Sequence, residues 1–363
     1  MCDDVVMANT GADSASGQRS RPTIRDVAAR AGVSKSLVSL AFTDPQKVGP
    51  QRRELILEAA QALGYEPNFL ARSLARDSAP FVGILVVNLR NPIFAEIAEA
   101  VRQELDLNGE YGLITSAAIT DSDDLPNSYG RIDPRVVRML QDLRPKALIV
   151  VGTVPEEEAM FRGIPTVYAS AAPRPNTEHS SVRMDDAKGM ELAVDHLVSL
   201  GHTRIGFIGG RGGAVSAGRA RAFITEMESR GLEAVVEPAG FSEAEGYRAA
   251  NDLLSRDRRP SAVVCVNDIS AIGVLAAADD AGVVVPDELA VVGFDNIPLA
   301  DLNRISLTSV DPQNREIGRL SALAVLELLG AQGTPPSESL ITPDLVIRGS
   351  TLAHRPQESP PSD

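Results

Sequence analysis

Little in this sequence can cross-link, hold a metal or carry covalent chemistry. Its 363 residues include two cysteines, Cys2 and Cys265, with no paired spacing for a disulfide or metal site. Cys265 lies within an apolar run, where a reduced thiol packs as a small hydrophobe. The four histidines, His179, His196, His202 and His354, show no metal-ligand spacing. His196 and His202 flank a predicted helix end, where a capping role accounts for them. No nucleophile-elbow pattern occurs. Gly209-Gly210-Arg211-Gly212-Gly213 follows a strand pattern and precedes a helix, yet lacks the dinucleotide fingerprint and the Gly-Lys-Ser/Thr of a phosphate loop. It reads as a turn at the edge of a cleft. The sequence therefore offers no seat for enzymatic chemistry and predicts neither a cofactor nor a metal.

A secretory leader is also missing. Met1 to Ser20 is rich in Ala, Ser, Asp and Gly and has no basic start followed by an apolar stretch of roughly 7 to 15 residues. No run is long enough to span a bilayer. The expectation is a cytoplasmic, nucleoid-associated chain with disordered tails at 1–20 and 352–363. The C-terminal tail carries no heptads, so no helical zipper for tetramers is expected. With 44% hydrophobic residues, the chain can support a small head and one or two larger domains.

Near the N-terminus the patterning is specific. Thr23 is a good N-cap, with Asp26 three residues on where the helix dipole favours negative charge. Ile24, Val27, Ala28 and Ala31 form one apolar helical stripe, and Gly32 stands where a helix end prefers a left-handed residue. Ser34 caps a second helix whose Leu37, Val38 and Ala41 point inward, while Lys35, Ser36 and Ser39 face outward. A third helix starts near Pro50, carries Leu55, Ile56, Ala59 and Leu63, and ends at Gly64. Two short helices across a glycine turn form a helix-turn-helix, whose second helix fits the major groove. Charge agrees. From Arg19 to Arg76 ten Lys or Arg stand against five Asp or Glu, about +5, whereas the whole chain is −14, leaving about −19 elsewhere. Such a basic end on an acidic protein fits phosphate contact by that end alone.

Ile24-Arg-Asp-Val-Ala-Ala-Arg-Ala-Gly-Val-Ser-Lys-Ser-Leu-Val-Ser, then Leu63-Gly-Tyr-Glu-Pro-Asn and Ala71-Arg-Ser-Leu74, resembles the lactose-repressor (LacI/GalR) family. The similarity runs to about Thr351. It implies a DNA-binding transcriptional repressor with a helix-turn-helix head at 21–66, a hinge helix and linker at 67–79, and a two-lobed effector-binding and dimerisation domain at 80–351. In that family the two residues after the Val-Ser turn read bases, here Lys35 and Ser36, and a lysine suits guanine acceptors. A further reader, often arginine, lies where this chain has Leu40, which can touch a thymine methyl but cannot donate. Thr23, Ser34 and Ser39 are placed for phosphate contact, with capping alone as the other reading of Thr23 and Ser34. Pro67 stops the third helix, and Asn68 can cap a hinge segment too short to be stable alone. Asn68, Ala71, Arg72 and Leu74 are the hinge residues expected at DNA, Leu74 as the minor-groove wedge. Two half-sites require a homodimer and a near-palindromic operator.

After Pro80, apolar β-branched runs alternate with amphipathic segments: Phe81 to Val87, Phe94 to Leu107, Ala147 to Val151, Thr166 to Tyr168, Gly189 to Leu200, Ile205 to Ile208, Arg219 to Arg230, Ala262 to Val266, Ile269 to Ala281 and Ala290 to Gly293. This is the pattern of parallel sheets covered on both faces, and the length calls for two α/β subdomains with a cleft between them. The expected fold is thus an all-α head plus a periplasmic-binding-protein-like sensor of two parallel α/β subdomains.

Ligands in open α/β sheets bind just outside the carboxyl ends of the strands. There Asn267-Asp268 closes one apolar run and Asp295 another. By the family resemblance Arg219 grips the effector, Asn267 and Asp295 bind it, Phe241 stacks on it and Ser170 adds a polar contact. Asn91-Pro92-Ile93-Phe94 resembles the loop closing the other wall, with Phe94 apolar and Asn91 at a polar edge. An acid, an arginine and an amide around an aromatic face suit the hydroxyls of a sugar or polyol, although a purine would satisfy the same groups. A sugar-binding receptor of the same design without a DNA role is the competing class; it has no need of the basic head.

Overall fold

The computed structural model describes residues 22–65, 80–116, 132–154, 161–171, 179–330 and 336–352. The chain divides into two compact units, Met1–Asp77 and Ser78–Asp363. In the first, α1 (Ile24–Ala31), α2 (Lys35–Thr43) and α3 (Pro50–Leu63) enclose Val27, Val38, Ala41, Val48, Ile56, Ala59 and Ala60. Gly32 and Gly64 end α1 and α3 with φ of 65° and 63°, a region where an L side chain is strained. A short 3₁₀ turn, Pro45–Lys47, which the sequence pattern does not reveal, joins α2 to α3.

The second unit contains two six-stranded sheets. The first has β1 (Val82–Val86), β2 (Gly112–Ser116), β3 (Ala147–Val151), β4 (Thr166–Ala169), β5 (Ser180–Met184) and β11 (Glu338–Ile341) in the order β11-β5-β4-β3-β1-β2. Every neighbouring pair is parallel. The second has β6 (Ile205–Gly210), β7 (Ala234–Ala239), β8 (Ala262–Cys265), β9 (Ala290–Phe294), β10 (Thr308–Asp311) and β12 (Asp344–Val346) in the order β12-β10-β9-β8-β6-β7. Here the edge strand β12 runs antiparallel. The central strands are buried throughout, as expected of sheets covered by helices on both faces.

The helices of this unit are α4 (Pro92–Leu107), α5 (Pro134–Leu143), α6 (Asp186–Ser199), α7 (Ala214–Ser229), α8 (Glu243–Leu254), α9 (Asp268–Asp280) and α10 (Asn314–Gly330). α6 packs on α7 and on β10 and β12, so the chain changes lobe between β5 and α6. α10 packs on α4 and on β3, β4 and β5, so it returns to the first lobe after β10. A third crossing lies between β11 and β12. The approach of α4 and α10 is close: a Cβ on Gly318 would stand 2.6 Å from the Ile97 carbonyl.

Several elements escape the apolar pattern. β5 begins with buried Ser180 and Ser181, β7 contains Glu237 and Pro238, and β10 reads Thr-Ser-Val-Asp. The two central histidines reach beyond the helix end they flank. His196 Nε2 pairs with Thr351 Oγ1 at 2.8 Å and His202 Nδ1 with Ser261 Oγ at 2.8 Å, so each ring ties the end of α6 to another segment, while the His202 backbone N–H bonds the Leu197 carbonyl in the last turn of α6. Partial burial lowers both imidazole pKa values, which keeps the rings in the neutral form that can share such bonds. Cys265 is a free, fully buried thiol whose pKa burial drives upward.

Candidate functional site

On the head, Lys35 and Ser36 open α2 and are exposed, side by side in its first turn. Ser34 also faces solvent, but its Oγ accepts the Leu37 N–H at 3.2 Å, so it caps the helix that carries them. Thr23 is the N-cap of α1, as expected, in a capping box with Asp26. The hydroxyl and the backbone N–H of Thr23 both donate to Asp26 Oδ2 at 2.7 Å, and the Thr23 carbonyl receives the Asp26 N–H. The Thr23 side-chain bond holds the Asp26 carboxyl below its usual pKa. Ser39 and Leu40 are half-buried, and Leu40 packs against the small core. Part of its side chain therefore serves the fold, which limits how much reaches outward. Asn68, Ala71, Arg72 and Leu74 lie outside the described residues.

In the second lobe the polar candidates follow successive strands at their carboxyl ends. Phe241 comes two residues after β7, Asn267 two after β8 and Asp295 directly after β9, while Arg219 lies on the helix after β6. Arg219 is 6% exposed and its cation is surrounded. Its Nε donates to Asp186 Oδ1 at 2.8 Å, its Nη1 to the Val266 carbonyl at 2.5 Å, and Asp295 Oδ1 is 3.6 Å from Nη1. The guanidinium carbon stands 4.4 Å from the centre of the buried Phe294 ring, a cation–π contact. Burial opposes the charge, yet Asp186 and Asp295 outweigh it and hold the guanidinium pKa above its ordinary value.

Asp295 occupies a left-handed backbone position, φ 105°, as does Asn296 at 47°. Non-glycine residues there are strained, and the surroundings must hold them. The Asp295 N–H donates to the Val310 carbonyl, and two residues on, the Ile297 N–H donates to Asp268 Oδ2 at 2.8 Å. Asp268 is fully buried and also receives the Ser309 hydroxyl at 2.6 Å. Burial, with the Asp295 charge nearby, raises the Asp268 carboxyl well above its ordinary pKa. Burial likewise lifts Asp295, to about 6, against the opposing pull of Arg219. Asn267 caps α9 by accepting the Ser270 N–H, and its Nδ2 donates to the Phe241 carbonyl at 3.2 Å. Arg219 thus meets Asp295 and the Val266 carbonyl, and the next residue after Val266, Asn267, joins the Phe241 backbone.

The first-lobe candidates sit on the other sheet with local partners. Asn91 caps α4 through Ile93 N–H. Phe94 is half-buried against Gly152 at the end of β3, where a Cβ would stand 2.8 Å from its ring. Ser170 follows β4 with φ 59° and donates its N–H to the Val182 carbonyl.

Sequence reasoning missed Asp186, which bonds Arg219 and lies 3.6 Å from Arg183. Its signal was faint, because the apolar stripe of α6 begins only at Gly189 while the helix itself starts at Asp186. Asp268 was visible only as the neighbour of Asn267. Among the described residues, no group of three or more His, Cys, Asp or Glu is placed to hold a metal, and no helix is long and apolar enough to cross a membrane.

Comparison with known proteins adds independent findings. Residues 23–68 match the family described as bacterial regulatory proteins, lacI family, and residues 194–351 match a periplasmic binding protein-like domain. The chain is 30% identical over 337 residues to the HTH-type transcriptional repressor PurR of Mannheimia succiniciproducens, covering 90% of this chain and 98% of that one. The lac repressor dimer bound to operator and the anti-inducer ONPF superposes with a TM-score of 0.78 at 24% identity, over 92% of this chain and 99% of that one. A complex of the transcriptional regulator CelR with cellobiose gives 0.67 at 25% identity, over 91% and 100% of the two chains.

Proposed function

The chain belongs to the lacI family of bacterial regulatory proteins and is a DNA-binding transcriptional regulator, not an enzyme; from that premise we propose that it is a repressor released or armed by a neutral sugar or polyol. The observation that carries the ligand class is the Arg219 cluster. The Arg219 guanidinium stands with two carboxylates, Asp186 and Asp295, and bonds the carbonyl of the residue before Asn267, a set that offers hydroxyls both donors and acceptors, with the half-buried Phe241 as the apolar face for the sugar ring in this reading. The cellobiose bound by the CelR neighbour supports a saccharide. Arg219, Asn267 and Asp295 hold the ligand in this reading, with Phe241 and Ser170 as further contacts and Asn91 and Phe94 on the opposite wall. A purine would satisfy the same polar groups, which keeps purines in the test. Titration of the full-length chain with a sugar panel and a purine panel decides between them; binding of purines alone would overturn the saccharide.

For DNA we propose that a homodimer grips a near-palindromic operator in the cytoplasm, with head, hinge and sensor at 21–66, 67–79 and 80–351. Lys35 and Ser36 read the major groove, Leu40 touches a thymine methyl, and Thr23, Ser34 and Ser39 meet phosphates. Asn68, Ala71, Arg72 and Leu74 engage the minor groove through the hinge. A ligand can shift operator affinity only by differing in affinity for two arrangements of the sensor. Lys35→Ala should cost about 1–3 kcal/mol of operator discrimination, read by competition between specific and random duplexes. Leu74→Ala should weaken specific binding and leave ligand affinity intact; unchanged operator affinity would remove the wedge.

A further inference from the structure

Asn314 opens α10 at the second lobe crossing, and its side chain is 5% exposed. Its Nδ2 donates to Glu96 Oε2 on α4 at 3.2 Å and to the Asp295 backbone carbonyl at 3.4 Å. A carboxylate and a carbonyl can only accept, so the amide has one orientation: the amino group faces these two and Oδ1 faces away from them. That oxygen is buried and has no hydrogen-bond partner among the described residues. Buried amide oxygens are ordinarily paired, because leaving one without a donor forfeits the hydration it had in water. The amino group meets the Asp295 carbonyl, and the Asp295 carboxylate stands 3.6 Å from Arg219 Nη1, so the Asn314 side chain borders the cluster described above.

We propose that Asn314 is a further ligand contact, its Oδ1 accepting a hydrogen bond from a hydroxyl of the neutral sugar; this rests on the saccharide reading of the site. The surroundings select the class of group. Glu96, Asp295 and Asp186 are acidic, and Arg219 already serves Asp186, Asp295 and the Val266 carbonyl. A carboxylate or phosphate arriving at Oδ1 would bring one more acceptor to an acceptor, and negative charge to a place bordered by Glu96 and Asp295, whereas a hydroxyl brings the missing donor. The same amide joins α4 of the first lobe to the Asp295 turn of the second. A ligand that binds its oxygen is therefore attached at the joint between the lobes.

The test is a cycle that pairs protein and ligand changes. A neutral monosaccharide or disaccharide that binds the full-length wild-type chain is found by calorimetry, and its monodeoxy analogues are then titrated against wild type and Asn314→Leu. Asn314→Leu should weaken the parent sugar roughly three- to tenfold, the range of one net hydrogen bond. One deoxy analogue should lose a similar factor against wild type and nothing more against the variant. Additive losses for every deoxy analogue would overturn the contact and leave Asn314 as a structural joint only. No sugar bound by wild type would overturn the saccharide reading itself, a separate result that also removes this inference. If melting shows that Asn314→Leu does not fold, Asn314→Ser carries the same cycle.

Discussion

In the first lobe, the residues following β3 and β4 are Gly152 and Ser170; in the second, β8 and β9 are followed shortly by Asn267 and Asp295, both buried. The sheets share a strand order, yet among the described residues the buried charged groups, Arg219, Asp268 and Asp295, all lie in the second lobe, while Thr166, Ser180 and Ser181, buried in the first, are neutral. Arg219, Asn267, Asp268, Ser270, Asp295 and Ser309 are all less than 7% exposed and all belong to the second lobe. The first lobe presents Phe94 against a glycine. One topology can thus supply a charged, tightly bonded wall and an apolar wall, because the sheet sets where strand ends lie and the loop residues set what stands there.

The largest effect should come from removing the cation. Arg219→Leu leaves Asp186 and Asp295 without their shared partner, and breaking a buried pair in this way costs about 3–5 kcal/mol. Urea unfolding should show that loss together with abolished ligand binding, and a loss below about 1 kcal/mol would erase the contrast between the lobes.

Acid titration probes the same wall. Asp295 is raised from 3.8 to about 6 by burial, so the folded chain holds a proton there that the unfolded chain has released between those values. Its contribution is then full below about pH 4 and lost as the pH rises through about 6, on the order of 2–3 kcal/mol in all. Arg219, Asp186 and Asp268 face this group and set the midpoint. Asp295→Asn should flatten the slope of stability between about pH 4 and 6. An unchanged slope would assign it to another carboxylate, Asp268 first.

Smaller effects should follow in the first lobe. Gly318→Ala places a methyl 2.6 Å from the Ile97 carbonyl and the Ala100 Cβ. That overpacking should lower stability by about 1–3 kcal/mol with ligand affinity retained, as melting and calorimetry on one sample would show. Phe94→Leu keeps an apolar wall and should cost less than about 1.5 kcal/mol, with a few-fold weaker ligand. A larger loss of affinity there than in Asn267→Ala would reverse the proposed division of labour.

Much of the head was legible because its signals are local. Thr23, Gly32, Ser34, Pro50 and Gly64 mark helix ends within one turn of the residues they serve. Strands such as β3 and β8 were equally clear, since burial on both faces demands an unbroken apolar run. β5, β7 and β10 were not, because their polar residues are accommodated by neighbours the local pattern does not name. Of the candidate site, Asn267 and Asp295 stood out by ending apolar runs abruptly, and Arg219 came from family resemblance. Asp186 and Asn314 carried no such mark.

By itself the sequence determined the helix ends of the head, the unbroken apolar strands such as β3 and β8, and the basic character of the head. These depend on caps, periodicity and composition, which act over a few residues. Tertiary structure alone decided that Arg219 meets Asp186, 33 positions away, that Asp268 holds the turn carrying Asp295, and that Asn314 reaches Glu96 across 218 positions. Such contacts form only when strand order and lobe crossings bring distant segments together, and burial then fixes the charge states of the groups that meet.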